Sequence, residues 1–272
     1  MTDQQARYDR VAEGYARWWA PVLAPTAVTI LDRVAPAAAQ GGRLLDVGTG
    51  TGTLSVAALR RWPLVDVVGI DASGEMAAAA RRQADRALPE HDRPRYQVET
   101  AFADRLPFPD GSFDAAVSSF VLQLVPSRRA VLREVHRVLR PGGRFAHVTW
   151  LVGEVAFEPD AVVDAVLEEF GYGAREGGRE RGDYESVRAA IGSLRGAGFR
   201  NVEAEARELV HRFDARSYQG FVQEFDEEDL FASMRRSERH EISARLRKKL
   251  AALPATAFEL RLPVVVAHGD RA

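Results

Sequence analysis

The segment Gly48-Thr49-Gly50-Thr51-Gly52 follows directly on the apolar run Leu44-Leu45-Asp46-Val47. Glycines just past a strand let the backbone turn tightly and approach a ligand closely, and the helix that follows offers free N–H groups and a partial positive charge. Such a loop can seat a polar or anionic group of a nucleotide-like cofactor. Its spacing is Gly-x-Gly-x-Gly. The dinucleotide fingerprint Gly-x-Gly-x-x-Gly would need its third glycine at Thr53, which weakens a nicotinamide reading. Asp46 stands two residues before the first glycine, a poor place for a carboxylate beside a pyrophosphate and a sensible one for receiving a cationic amino group. Its blander role would be a hydrogen bond that orients the loop. Asp71 falls at the end of the second apolar run, where a carboxylate can accept from both hydroxyls of a ribose. That signal serves nicotinamide, flavin and adenosylmethionine sites alike.

Other chemistries find little material. The chain has no cysteine, so disulfides, thiolate nucleophiles and Cys-based metal sites are all excluded. The six histidines show no metal-ligand spacing, and no metal is expected. His147 and His211 are the only general-base candidates, and the catalytic residue is left unassigned.

The elements that must carry these residues alternate between strand and helix. Arg43–Val47, Val65–Ile70, Tyr96–Phe102, Phe113–Ser119 and Arg144–Trp150 read as strands of parallel βαβ units. Ser73 can cap an alanine-rich helix through Leu88. A helix from Ser127 carries Val131, Leu132, Val135, Val138 and Leu139 on one face, and Pro141-Gly142-Gly143 is expected to stop it. Gly171 to Gly182 looks like a mobile loop after a short helix around Asp160 to Phe170. Val187 to Leu194 reads as a helix, Val202 to Ala206 as a strand, Ser217 to Leu253 as a helical insertion, and Leu262 to Ala267 as the last strand. The whole predicts an α/β doubly wound, mostly parallel seven-stranded sheet with helices on both faces. The organisation expected is lid helices at 1–40, a cofactor-binding core at 41–151, a loop and helix insertion at 152–183, a core helix and strand at 184–210, a helical cap at 211–258, and a final strand at 259–272.

Composition narrows the partners. The 37 basic and 39 acidic residues nearly cancel, giving a net charge of -2, so nothing global draws the chain to nucleic acid or an anionic membrane. A small-molecule partner fits better. The polar N-terminus lacks a signal-peptide core and no stretch approaches the roughly 18 apolar residues of a membrane span, so a cytoplasmic location is expected. Oligomeric state is not encoded in any feature of the sequence.

Four segments together carry a resemblance. Leu44–Gly52, then Val68-Gly69-Ile70-Asp71-Ala72-Ser73, then Ala103-Asp104-Arg105-Leu106-Pro107-Phe108-Pro109-Asp110-Gly111-Ser112-Phe113-Asp114, then Leu139-Arg140-Pro141-Gly142-Gly143 resemble the successive motifs of class I S-adenosylmethionine-dependent methyltransferases. More narrowly they are similar to the type-11 methyltransferase domain of ubiquinone/menaquinone C-methyltransferases, over about residues 40 to 150. The resemblance implies a Rossmann-like fold and S-adenosyl-L-methionine as cofactor. It implies that Gly48, Thr49, Gly50 and Gly52 wrap the methionine portion and that Asp46 stands behind them. Asp71 would hold the ribose, Ala72 and Met76 would lie beside the adenine, and Ala103 and Asp104 would meet its edge. Ser119, Phe120 and Gln123, after the fourth strand, would line the reaction centre. Tyr8 to Tyr15, with Trp18-Trp19, resembles a lid helix that closes over the cofactor, placing Tyr15 beside it, where an aromatic ring attracts a sulfonium. Arg10 and Arg17 would be surface charges.

Sulfonium methyl transfer is an in-line displacement that needs no metal, nucleophile or triad; the protein aligns the acceptor and excludes water. Substrate choice would fall to the cap, where Phe157, Phe170, Phe221, Phe225 and Phe231 suggest an apolar or aromatic acceptor pocket or simply the cap's own core. Two alternatives remain at this stage: a nicotinamide-dependent oxidoreductase, and a non-catalytic module that binds the same cofactor.

Overall fold

A computed structural model describes residues 3–38, 41–173 and 183–272. Its strands are β1 (Gly42–Val47), β2 (Val65–Asp71), β3 (Tyr96–Thr100), β4 (Phe113–Ser119), β5 (Leu139–Trp150), β6 (Arg200–Arg212) and β7 (Glu259–Asp270). They form one sheet in the order β3-β2-β1-β4-β5-β7-β6. The first five are parallel, and β7 runs antiparallel between β5 and β6. The central strands are covered on both faces, which is why they read as nearly continuous apolar runs. Strand order reverses between β1 and β4, so their C-terminal ends flank the crevice where open α/β sheets bind ligands.

Side chains alternate between two apolar layers. Leu44, Val67, Ala115, Val117, Ala146 and Val148 face one core shared with α3 (Leu31–Ala38) and α4 (Thr53–Arg61). Leu45, Val68, Ala116 and Phe145 face the other, with α6 (Arg128–Val138) and α8 (Val187–Gly196). Capping follows the sequence: Ser73 accepts from the Met76 N–H at the head of α5 (Gly74–Ala87), and Ser127 from the Ala130 N–H at the head of α6.

Three expectations need correction. Pro141-Gly142-Gly143 does not separate helix from strand; β5 already begins at Leu139, and the triplet is a bulge between the pairs Phe113–Leu139 and Ala115–Arg144. Strand β3 ends at Thr100, leaving Phe102 in the loop. Strand β6 runs to Arg212, well past Ala206, because pairing with all of β7 satisfies its backbone. The expected loop at 171–182 lies mostly outside the described residues, which resume at Asp183.

Above the C-terminal ends of the strands, two helical layers meet. One is α1 (Asp3–Gly14), a π-helical turn (Tyr15–Trp19) and α2 (Ala20–Ala27). The other joins α9 (Ala215–Phe221), a second π-turn (Val222–Asp226), α10 (Glu228–Ser233) and α11 (Arg236–Leu250), with α7 (Glu158–Glu169) alongside α11. The two π-turns pack against each other, and glycines make the contact possible. A Cβ on Gly14 would overlap the Glu224 carbonyl, and one on Gly220 would overlap the Trp18 ring. Arg10 pairs with Asp229 and Arg17 with Glu224 across this seam, so these arginines tie lid to cap as exposed ion pairs.

Candidate functional site

The glycine loop turns through three left-handed residues, Gly48 (φ 72°), Gly50 (φ 53°) and Gly52 (φ 80°). They are not equivalent. A side chain on Gly48 would drive into Val121, and one on Gly52 would stand 3.2 Å from Ala80 and the Tyr96 hydroxyl. Those two serve packing. Among the described residues the Cβ direction of Gly50 meets only Tyr15, at 3.9 Å, so of the three glycines this one opens its backbone toward the space below the Tyr15 ring.

Asp46 lies under the loop, 1% exposed. Its Oδ2 accepts from Thr49 Oγ1 at 2.9 Å and from Ser55 Oγ at 2.6 Å. Tyr96 Oη lies 2.9 Å from Thr49 Oγ1; since Thr49 gives its proton to Asp46, Tyr96 donates. Gly69 makes room for this network: a Cβ there would stand 2.8 Å from Thr49 Oγ1 and 2.9 Å from Tyr96 Oη. Asp46 therefore does orient the loop through its hydrogen bonds. Burial raises its pKa to about 6, against the opposing pull of the Ser55 and Thr49 hydroxyls. Ser55, Gly69 and Tyr96 were not legible as site residues, because their partners come from three different elements.

Asp71 stands at the end of β2. Its Oδ2 accepts from the Gly50 N–H and its Oδ1 from the Ser73 N–H, each at 2.9 Å. Burial lifts its pKa, and those backbone donors and a nearby Asp9 act in opposite directions on it. Asp9 comes from the lid: its Oδ1 accepts from Ser73 Oγ at 2.6 Å. Helix α1 is thus docked beside the carboxylate that ends β2.

Rings close the site from above. Tyr15 lies edge-on to Tyr8 (6.0 Å) and to Phe225 (5.6 Å). Trp19 contacts Phe225 at 6.2 Å, Phe221 at 5.1 Å and Trp150 at 6.3 Å, and Trp150 lies 4.3 Å from Phe120. Burial and the carboxylates of Asp71 and Asp46 push the Tyr15 phenol upward, so it stays neutral. Phe120 has φ 56°, a left-handed conformation that is a strained choice for a bulky residue, fixed by its N–H donating to the Val148 carbonyl at 2.8 Å.

The remaining candidates divide. Ser119 ends β4 next to Phe120, beside the glycine loop. Ala72 is half-buried, whereas Met76 is 2% exposed and packed within α5. Ala103 is half-buried and Asp104 exposed. Phe102, passed over in the sequence, is 41% exposed immediately after the Ala101 N–H that donates to the Asp71 carbonyl at 2.9 Å. His147 is no base for this site. It is fully buried in the α6 and α8 layer, stacked on Phe145 at 5.4 Å, and burial lowers its pKa to about 3. His211 packs on Phe213 at 4.4 Å near the far edge of the sheet. Of the cap phenylalanines, Phe221 and Phe225 face the lid tryptophan, whereas Phe157 packs on Phe213 and Tyr218.

Comparison with known proteins identifies the family. A family model described as a methyltransferase domain matches residues 45–147. The ubiquinone/menaquinone biosynthesis C-methyltransferase UbiE of Methylobacterium nodulans is 32% identical over 188 residues, 69% of either chain. A phosphatidylethanolamine N-methyltransferase of Cereibacter sphaeroides is 34% identical over 165 residues, 60% of this chain and 77% of that one. The UbiE protein of Geobacter sulfurreducens is 40% identical over 106 residues, and there the match spans 39% of this chain and only 40% of the relative. The chain belongs to the class I S-adenosylmethionine-dependent methyltransferases, in the type-11 methyltransferase domain family that includes UbiE. Solved structures agree on the fold. Phosphoethanolamine N-methyltransferase 2 of Haemonchus contortus, solved with S-adenosyl-L-methionine, has a TM-score of 0.59 at 18% identity, covering 100% of this chain and 61% of that one. The [4+2]-cyclase SpnF has a TM-score of 0.58 at 22% identity, covering 99% and 97%.

Proposed function

We propose that this protein transfers the methyl group of S-adenosyl-L-methionine to a small apolar or aromatic acceptor. The observation that carries this reading is the juxtaposition of Gly50, open toward the lid and donating to Asp71, with an aromatic shell running from Tyr15 to Phe120. The donor set fits the cofactor: a left-handed glycine loop for its methionine portion, Asp71 for the ribose, and buried Asp46 as a negative charge behind the loop. Ala72, Ala103 and Asp104 border the adenine, with Phe102 offering a ring face there and Met76 supporting from within α5. When bound, the cofactor supplies an electrophilic methyl group on a cationic sulfur.

The residues of this chain have three tasks. Gly48, Thr49, Gly50 and Gly52 hold the loop open while Asp46 fixes its shape. Tyr15 and Trp19, with Phe225, exclude water and present ring faces to a cation. Ser119 and Phe120, backed by Trp150, set the wall against which the acceptor aligns, and alignment is the main source of rate in such a displacement. No described helix is long and apolar enough to cross a membrane.

The resemblance in fold to a protein called a cyclase shows why turnover must be measured directly. Titration calorimetry with S-adenosylhomocysteine and with NADH, followed by transfer of a labelled methyl group from S-adenosylmethionine into a solvent-extractable metabolite pool, tests the proposal. Binding of NADH alone would end it. Cofactor binding without any labelled product would favour the non-catalytic module.

A further inference from the structure

Behind the aromatic wall lies a short polar chain that the proposed reaction does not use. Gln123 Nε2 donates to the Phe120 carbonyl at 2.7 Å. The Oε1 of the same carboxamide lies 2.8 Å from Thr149 Oγ1, and Thr149 Oγ1 lies 3.0 Å from Asp183 Oδ2. Thr149 is fully buried near the end of β5, and the Asp183 side chain is 1% exposed and in contact with Arg128. Backbone bonds hold Asp183 in place, since its N–H donates to the Trp150 carbonyl at 3.1 Å.

The proton count does not close. A threonine hydroxyl carries one hydrogen, whereas a carboxamide oxygen and an ionised carboxylate only accept. Asp183 forms an ion pair with Arg128, and its carboxylate oxygens act there as acceptors. Thr149 can therefore serve Gln123 or Asp183, but not both. When it serves Gln123, the carboxamide is oriented with Nε2 on the Phe120 carbonyl. When it serves Asp183, the carboxamide must turn to offer Nε2 to Thr149, and its oxygen then faces the Phe120 carbonyl, which it repels. His147, two residues earlier on the same strand face, has neither ring nitrogen partnered among the described residues and stays neutral, so it adds no competing charge.

We infer that Thr149 is a positioning residue, whose hydroxyl, contested by Asp183, sets the orientation of Gln123 and through it the left-handed conformation of Phe120. The role rests on the reading of Phe120 as a wall of the methyl-transfer centre. It explains how a strained aromatic residue is held at a loop where no backbone ladder continues: its N–H is fixed by Val148 and its carbonyl by Gln123.

Hydrogen–deuterium exchange of residues 119–124 in the full chain tests it. Thr149→Val keeps the shape and deletes the hydroxyl; Thr149→Ser keeps the hydroxyl. Exchange in this segment is expected to rise about fivefold to tenfold in Thr149→Val and to stay within about twofold of wild type in Thr149→Ser. Gln123→Leu, at a half-buried site, should show the same rise as Thr149→Val. Unchanged exchange in Gln123→Leu, or a Ser variant as fast as the Val variant, would overturn the inference. Binding of S-adenosylhomocysteine to the wild type is measured alongside. Its absence would defeat the cofactor reading and leave the exchange result standing.

Discussion

The backbone N–H of Gly50 donates to Oδ2 of Asp71 at 2.9 Å, which bonds the loop after β1 directly to the carboxylate that ends β2. The Ser73 N–H takes the other oxygen, and Ser73 Oγ reaches the lid through Asp9. The glycine loop, Asp71 and helix α1 are therefore linked by single hydrogen bonds, and a change at any of them should be felt at the others.

Asp71→Ala is expected to weaken S-adenosylhomocysteine binding at least about tenfold, because a hydrogen-bonded charged group is worth roughly 1.5–3 kcal/mol. Calorimetry reads this directly, and an unchanged affinity would show the ribose to lie elsewhere. Gly50→Ala should also weaken binding, since a methyl group there enters the space below Tyr15. Gly48→Ala should instead lower thermal stability, since its Cβ collides with Val121.

Asp46 gives a pH signature. Its carboxyl is lifted from 3.8 to about 6, so the native state holds this proton more tightly than the unfolded chain does. Stability from this group is present below about pH 4, declines as pH rises through about 6, and stays lost above it. Asp46→Asn should therefore raise the ligand-free Tm relative to wild type at pH 7.5, by the equivalent of about 3 kcal/mol at most, with the gain vanishing toward pH 4. A gain independent of pH would exclude charge burial as its cause.

The seam between lid and cap is set by Gly220, which lies against the Trp18 ring, and by Glu224, which accepts from Trp18 Nε1 at 2.6 Å. Gly220→Ala should displace Trp18 and free the lid. Tryptic cleavage at Arg10 and Arg17 is the measurement. Faster cleavage there, with S-adenosylhomocysteine affinity reduced several-fold, is expected; wild-type cleavage kinetics would mean that lid and cap do not depend on this contact.

Phe102→Ala should weaken S-adenosylhomocysteine binding about threefold to tenfold, the scale of an aromatic contact, with little change in Tm because the ring is 41% exposed. If Asp104→Asn has the larger effect on affinity, the adenine is held by the carboxylate and Phe102 is a bystander.

The sequence by itself determined the alternation of strands and helices, the glycine loop, and the two acids flanking it. Those signals are local. A turn that requires positive φ selects glycine, a strand covered on both faces selects a run of β-branched and aliphatic residues, and Ser73 and Ser127 announce helix starts through one bond each. Where the signal was local but ambiguous, as at Pro141-Gly142-Gly143, the stop was misplaced, because a bulge and a helix terminator use the same residues.

Tertiary structure decided what each residue faces. Only the packed chain shows that Gly50 opens to the lid while Gly48 and Gly52 are filled by Val121, Ala80 and Tyr96, and that His147 points into the α6 and α8 layer. A strand residue's side is set by register, and register depends on partners distant in the chain. The same holds for the bonds among Asp46, Thr49, Ser55 and Tyr96 and for the lid rings over Phe225 and Trp150. Their members come from separate elements, and no spacing along the chain encodes a contact that exists only once the sheet has closed around it.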